Sequence, residues 1–309
     1  MRDYREALER LAERARQEGC CAEAQIPMAS LTTFRIGGPC GILFTASNPE
    51  TAALLLRCCA EEEVPLLILG NGSNLLVSDK GIPGAVLRLS SGEIRFEKDR
   101  VICPAGVPLK ALCRAVRDRG LAGLEFAYGI PGTVGGAVFM NAGAYGGEMK
   151  DVLLRAAACD SAGNRREYRA EEMELRYRHS RFMKEQLLVL EAELQLMPDD
   201  PSAITARMEE FLRRRREKQP LEYPSAGSFF KRPAGHYAGT LIESCGLKGY
   251  AVGGAQVSEK HAGFVINRGG ATCAEVKQLA QDVMRRVWES TGVLLEPEVR
   301  FVGEKPPVI

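Results

Sequence analysis

Leu69-Gly-Asn-Gly-Ser-Asn-Leu-Leu-Val-Ser-Asp79 sets a glycine- and asparagine-rich loop between two apolar runs. The apolar run 66–69 reads as a buried strand. It feeds a loop of two glycines, two asparagines and a serine, and a second apolar run at 75–77 leaves it. Such a loop can turn several backbone N–H groups toward one point, which suits a diphosphate. It is not the dinucleotide fingerprint of a doubly wound sheet, because Leu75 stands where the third glycine belongs. No Gly-Lys-Ser/Thr follows, so it is not a P-loop either. A plain β-turn remains the other reading of the same residues.

Residues 126–147 form the longest uncharged stretch of the chain. It is long enough to cross a bilayer, but its seven glycines, one proline and one asparagine make a lipid-facing helix improbable. A nucleotide cofactor held against backbone amides fits this composition, as does a glycine-rich structural crossover.

The flanks alternate between helical and strand-like patterns. Helices are expected over 3–19, over 48–62 with Pro49 at the first position, over 109–119 ending at Gly120, over 202–218, over 238–245 and over 272–291. Strands are expected at 42–45, 66–69, 75–77, 85–89, 93–96, 100–103, 153–159, 164–168, 187–196, 262–267 and 297–302. Residues 225–228 read as a Gly/Ser loop, and 197–201 as the linker between two parts of the chain. The pattern is α+β rather than a regular βαβ series.

Length and composition narrow the function. At ~150 residues per domain, 309 residues predict about two domains. Forty-one basic against 40 acidic residues leave a net charge of +1, so no global field draws nucleic acid or an anionic membrane. The charged N-terminus has no apolar signal core. The ten cysteines include no CxxC and read as reduced, buried small hydrophobes in a cytoplasmic protein. Three histidines, far apart in sequence, argue against a metal site. No GxSxG elbow supports a serine hydrolase.

Three shorter motifs have bland readings when taken one at a time. Tyr177-Arg-His-Ser-Arg-Phe182 places two arginines around a hydroxyl before a strand; Pro224-Ser-Ala-Gly-Ser-Phe-Phe-Lys231 is a turn into a buried segment; Leu295-Glu-Pro-Glu-Val-Arg300 is an exposed strand start. Taken in order with Thr33-Phe-Arg-Ile-Gly-Gly38, 69–79 and 123–148, they resemble the UDP-N-acetylenolpyruvoylglucosamine reductase family over about 26–303.

The resemblance implies an α+β chain. It has a two-subdomain FAD-binding fold of the vanillyl-alcohol-oxidase/PCMH type over 26–200 (about 26–92 and 93–200), after an N-terminal helix in 1–25. A smaller α+β substrate-binding domain spans 203–297, and a C-terminal strand and tail fill 298–309. It implies noncovalent FAD, NADPH as hydride donor, and reduction of the enolpyruvyl ether of UDP-N-acetylglucosamine to UDP-N-acetylmuramate for peptidoglycan. Gly70, Asn71, Gly72, Ser73, Asn74 and Leu75 match the diphosphate loop, and Gly132, Thr133, Gly135, Gly136 and Ala142 match other FAD-lining positions. Tyr145 and Lys218 match substrate contacts.

Arg178, Ser228 and Glu298 match the catalytic group. An arginine fork suits the substrate carboxylate. A serine hydroxyl can protonate an enolate carbon, and a glutamate that holds a proton stabilises the enolic carboxylate. A monomer or weak oligomer is expected. Only Met183 to Gln186 lie between Phe182 and the next strand, which resembles the shorter subtype, without the loop that closes over the nucleotide. Arg232 stands where some relatives carry a substrate-contacting asparagine. Another flavin oxidoreductase of the same fold, acting on an alcohol or hydroxy acid, and a non-catalytic flavin-binding protein are the competing readings.

Overall fold

The computed structural model describes residues 3–309. Contacts divide the chain into two compact units that are not contiguous in sequence. One holds the residues up to Ala24 with Gly41–Asn71 and Pro83–Arg214; the other holds Gln25–Cys40, Gly72–Ile82 and Arg215–Ile309.

The first unit contains a four-stranded sheet, a five-stranded sheet and two short two-stranded pairings. The four-stranded sheet has the order Cys21–Ala24, Cys40–Ala46, Ile82–Leu89, Leu66–Ile68. The last two strands run parallel. Helices Arg5–Gln17 and Pro49–Glu61 bring Leu11, Ala15, Leu55 and Cys59 into one core with Ile42, Phe44 and Leu87. Asn48 starts the second helix as the sequence predicts, its side chain accepting from the Thr51 N–H at 2.8 Å. The five-stranded sheet is antiparallel, in the order Arg165–Arg169, Leu153–Cys159, Leu188–Gln195, Arg100–Pro104, Arg95–Glu97. Helix Leu109–Asp118 packs Leu109, Leu112, Cys113 and Val116, an i, i+3, i+4, i+7 stripe, into its core with Val134, Val138, Phe182 and Leu194.

The second unit has an antiparallel sheet of Ser225–Ser228, Phe264–Asn267, Ala255–Val257 and Ala251–Val252. Helices Ala238–Ser244 and Cys273–Thr291 share its core with Phe34, Leu76, Phe229, Val265 and Leu295. Leu75–Val77 pairs in parallel with Arg300–Val302. That pairing, with Phe34 and Leu76 in the core, is why 25–40 and 72–82 belong with the C-terminal residues. The last crossing of the chain from one unit to the other falls at 214/215, inside helix Pro201–Lys218.

Two local expectations are corrected, and one stretch left unassigned in the sequence gains a helix. Residues 225–228 are a strand, not a loop; Gly227 at φ +77° absorbs the irregularity in its pairing with Phe264–Asn267. The expected linker is stitched down, because Met197–Pro198 pairs with Leu121–Ala122 and the Asp199 N–H donates to the Gly120 carbonyl at 2.8 Å. The glycine-rich stretch contains a helix, Val134–Met140, capped by Thr133 and closed by Asn141 in the left-handed region. Packing overrides the weak helical propensity of its glycines. The short connection after Phe182 is the helical turn Arg181–Lys184, closed by the Leu187 N–H on the Phe182 carbonyl at 2.9 Å.

Candidate functional site

In the first unit, Gly70 and Asn71 continue the Leu66–Ile68 strand. A methyl group on Gly70 would meet Thr133 Oγ1 at 2.8 Å, and Asn71 Nδ2 donates to the Pro131 carbonyl at 2.9 Å. Gly70 and Asn71 therefore lie on the start of the glycine-rich segment. The first donors of the Val134–Met140 helix are spent on protein: Val134 and Gly135 donate to the carbonyls of Val107 and Ala105 at 2.9 and 2.8 Å, and Gly136 to Thr133 Oγ1 at 3.3 Å. Gly135 is glycine because a Cβ there would lie 2.8 Å from that of Ala105. Gly132 and Gly136 have room, with nothing nearer than 3.4 and 3.5 Å. Ala142 is half-buried just beyond the helix.

The backbone N–H groups of Gly70, Asn71, Gly72 and Ser73 donate to no described residue. They are the donors an anionic diphosphate can take, so this part of the chain fits FAD. Gly72 must be glycine, since a Cβ would overlap the Leu31 carbonyl oxygen and its φ is +59°.

Two hairpin tips follow the short helix. Gly143 and Ala144 pair with Glu148 and Gly147, and Tyr145 and Gly146 form the tip with φ +53° and +88°. The Tyr145 ring stacks on Phe211, with centroids 4.8 Å apart and planes 2° apart. Phe211 belongs to helix Pro201–Lys218, whose last residue is the exposed Lys218. In the other hairpin, Arg176 and His179 exchange both backbone hydrogen bonds at 3.1 and 3.0 Å, leaving Tyr177 and Arg178 at the tip. Arg178 is half-buried, left-handed at φ +52°, with its guanidinium 5.3 Å from the Tyr177 ring centroid.

The second arginine of that motif has a structural task. Arg181 pairs with Glu174 at 3.1 Å, and its hydrogen bond, with Lys184 nearby, holds the Glu174 carboxyl below its usual range. The hydroxyl between the arginines caps the Arg181–Lys184 turn rather than preceding a strand: Ser180 accepts from the Met183 N–H at 3.1 Å.

In the second unit, Ser228 is exposed at the end of its strand. The next residue, Phe229, donates to the Gly263 carbonyl, and its own carbonyl accepts from the Glu298 N–H, both at 2.8 Å. Lys231 N–H donates to the Glu296 carbonyl at 2.8 Å. Segments 228–231 and 296–299 thus run side by side. Asn74 Nδ2 donates to the Glu298 carbonyl at 3.2 Å, and the Arg300 N–H donates to the Asn74 carbonyl at 3.0 Å. Asn74, Ser228 and Glu298 are brought together in one unit. Leu75 is buried in the strand that follows. Arg232 lies over the exposed Tyr237 ring, 4.3 Å from its centroid.

His261 serves structure. Burial pushes the His261 pKa down, and its Nδ1 accepts from the Gly263 N–H at 3.1 Å. Among the described residues no cluster of three metal-ligating side chains occurs, and no helix is long and apolar enough to cross a membrane. The sequence reading missed Asn141 and Ser180, 1% and 0% exposed, which hold the Arg178 hairpin. A polar residue in a glycine-rich run reads as a turn, and its buried partners leave no mark in the sequence.

Known proteins resemble this chain over most of its length. A model of the FAD binding domain matches residues 41–168, and one of the C-terminal domain of UDP-N-acetylenolpyruvoylglucosamine reductase matches 219–302. The reductase of that name from Syntrophomonas wolfei is 49% identical over 90% of this chain and 94% of its own. The one from Lachnoclostridium phytofermentans is 47% identical over 90% and 92%. A crystal structure of the Thermus caldophilus enzyme superposes with a TM-score of 0.79, at 37% identity, covering 92% of this chain and 99% of that one. With identity of this order running through both units, the chain belongs to the UDP-N-acetylenolpyruvoylglucosamine reductase family.

Proposed function

We propose that this protein is an oxidoreductase that uses FAD and NADPH to reduce the enolpyruvyl ether of UDP-N-acetylglucosamine to the lactyl ether of UDP-N-acetylmuramate, a step of peptidoglycan precursor synthesis in the cytoplasm. The observation that carries it is 49% identity to a reductase of that name over 90% of the chain. When bound, FAD would supply the hydride chemistry between NADPH and the terminal enol carbon. Residues 70–75, Gly132, Thr133, Gly135, Gly136 and Ala142 are proposed to hold the cofactor, without a covalent bond. Residues 26–200 would then serve chiefly the cofactor and 203–297 the substrate, with 72–82 structurally part of the second unit.

The remaining steps fall to side chains. Arg178 binds the substrate carboxylate as a planar fork. As the terminal carbon gains hydride, negative charge develops on the adjacent carbon and its carboxylate, where Arg178 and a proton-bearing Glu298 stabilise it. Ser228 donates its proton to that carbon; an enolate carbon is basic enough that placement matters more than the acidity of the hydroxyl. Tyr145 and Lys218 contact the nucleotide, with the Lys218 ammonium as a point charge for the UDP diphosphate. The direct test is product analysis: with NADPH, the enolpyruvyl nucleotide should gain two hydrogens as UDP-N-acetylmuramate. Recovery of unchanged nucleotide beside oxidised NADPH would contradict the assignment and favour a different flavin oxidoreductase.

A further inference from the structure

We propose that Asn141 is a positioning residue that fixes the register of the two substrate-facing hairpin tips, those bearing Tyr145 and Arg178. The inference rests on the function proposed above and adds a residue to it.

Asn141 is buried and left-handed, at φ +43°. Its carboxamide spends every strong group on a different piece of backbone or side chain. Nδ2 donates to Glu148 Oε2 at 2.6 Å, at the foot of the Tyr145 hairpin, and to the Arg176 carbonyl at 3.2 Å, at the foot of the Arg178 hairpin. Oδ1 accepts from the Lys150 N–H at 2.9 Å. Its own backbone N–H donates to the Val138 carbonyl at 3.1 Å, closing the glycine-rich helix. One side chain therefore ties the end of that helix to both hairpins. Ser180 pins the other foot of the Arg178 hairpin to the same helix, its Oγ donating to the Phe139 carbonyl at 2.6 Å.

Chemistry restricts the position to asparagine. A carboxylate would lose both donors and face Glu148, and an apolar residue would leave the Arg176 carbonyl and the Lys150 N–H without their side-chain partner. Asn is also tolerated in the left-handed region better than most side chains. Tyr145 and Arg178 are also left-handed, so each tip is a tight turn whose aim is set at its feet. A displacement of ~1 Å at a reacting group can cost ~10²-fold in rate.

The test uses Asn141→Gly in the holoenzyme, which keeps the left-handed backbone without strain and removes the three side-chain bonds. Flavin reoxidation by the enolpyruvyl nucleotide should slow by ~10²-fold. Calorimetry should show UDP-N-acetylmuramate binding weakened by about tenfold, whereas reduction by NADPH and flavin content stay near wild type. In an Arg178→Ala background the added cost of Asn141→Gly should shrink, because it acts partly through that arginine. Ser180→Ala should give a milder form of the same split, and it carries the test if Asn141→Gly does not fold. Equal slowing of both half-reactions, or an undiminished effect in the Arg178→Ala background, would overturn the positioning role. If Arg178→Ala itself leaves reoxidation at the wild-type rate, the functional reading fails and this inference with it.

Discussion

Ser228 is an exposed hydroxyl at the end of a bulged strand, and its proposed task is to hand one proton to carbon. Ser228→Ala should therefore leave NADPH-driven flavin reduction intact, since hydride transfer to the cofactor needs no proton from it. Reoxidation by the enolpyruvyl nucleotide should slow by at least ~10²–10⁴-fold, the usual worth of a positioned proton donor. Stopped-flow absorbance separates the two steps, and equal slowing of both would remove Ser228 from that role. Arg178 and Glu298 stand 120 positions apart in the sequence and are proposed to act on the same developing charge. Arg178→Lys keeps charge but loses the fork, and Glu298→Gln keeps shape. Each should slow reoxidation strongly, and the double change should cost less than the sum of the two. Strict additivity would mean that they act independently. At this scale the sequence spoke only through the order of several weak motifs. Arg178 read alone is a surface arginine, and Asn141 carries no sequence signal of its three partners.

Helix Cys273–Thr291 shows how the elements are fixed. Thr272 and Glu275 form a capping box, and the Asp79 carboxylate accepts from the N–H groups of Cys273 and Ala274 at 2.7 and 3.1 Å. Asp79 and the helix that it caps belong to the same unit. Loss of such a cap costs ~1 kcal/mol. Asp79→Ala and Thr272→Ala should each lower the thermal midpoint by about 2–4 °C, without changing flavin content. A flavin-depleted Asp79→Ala protein would show instead that the cap sets the cofactor loop. Amphipathic helices such as Leu109–Asp118 and Cys273–Thr291 were legible because their apolar stripe is local. Ser225–Ser228 was not: its strand character comes from Phe264–Asn267, and Gly227 disguises it as a turn. Val134–Met140 was hidden likewise, because a helix stabilised by contacts with Ala105 and Val107 carries no propensity signal of its own.

Across the whole molecule, eight of the ten cysteines are buried. Burial pushes Cys59, Cys103, Cys113 and Cys273 up to about 12, leaving almost no thiolate near neutrality. Alkylation of the native protein at pH 8 should mark exposed Cys21 first and half-buried Cys245 more slowly, with the rest reacting only on unfolding. A third thiol labelled in the native state would identify a site of local opening. The parallel pairing of Leu75–Val77 with Arg300–Val302 joins residues more than 200 positions apart. No local pattern could reveal that these segments share a unit, and so the noncontiguous division escaped a reading made along the chain. An anaerobic titration reads both half-reactions on one sample. The purified protein should show a flavin spectrum that NADPH bleaches. Stoichiometric UDP-N-acetylenolpyruvylglucosamine should then restore the oxidised spectrum without oxygen. Flavin that NADPH bleaches but that nucleotide leaves reduced would contradict the account.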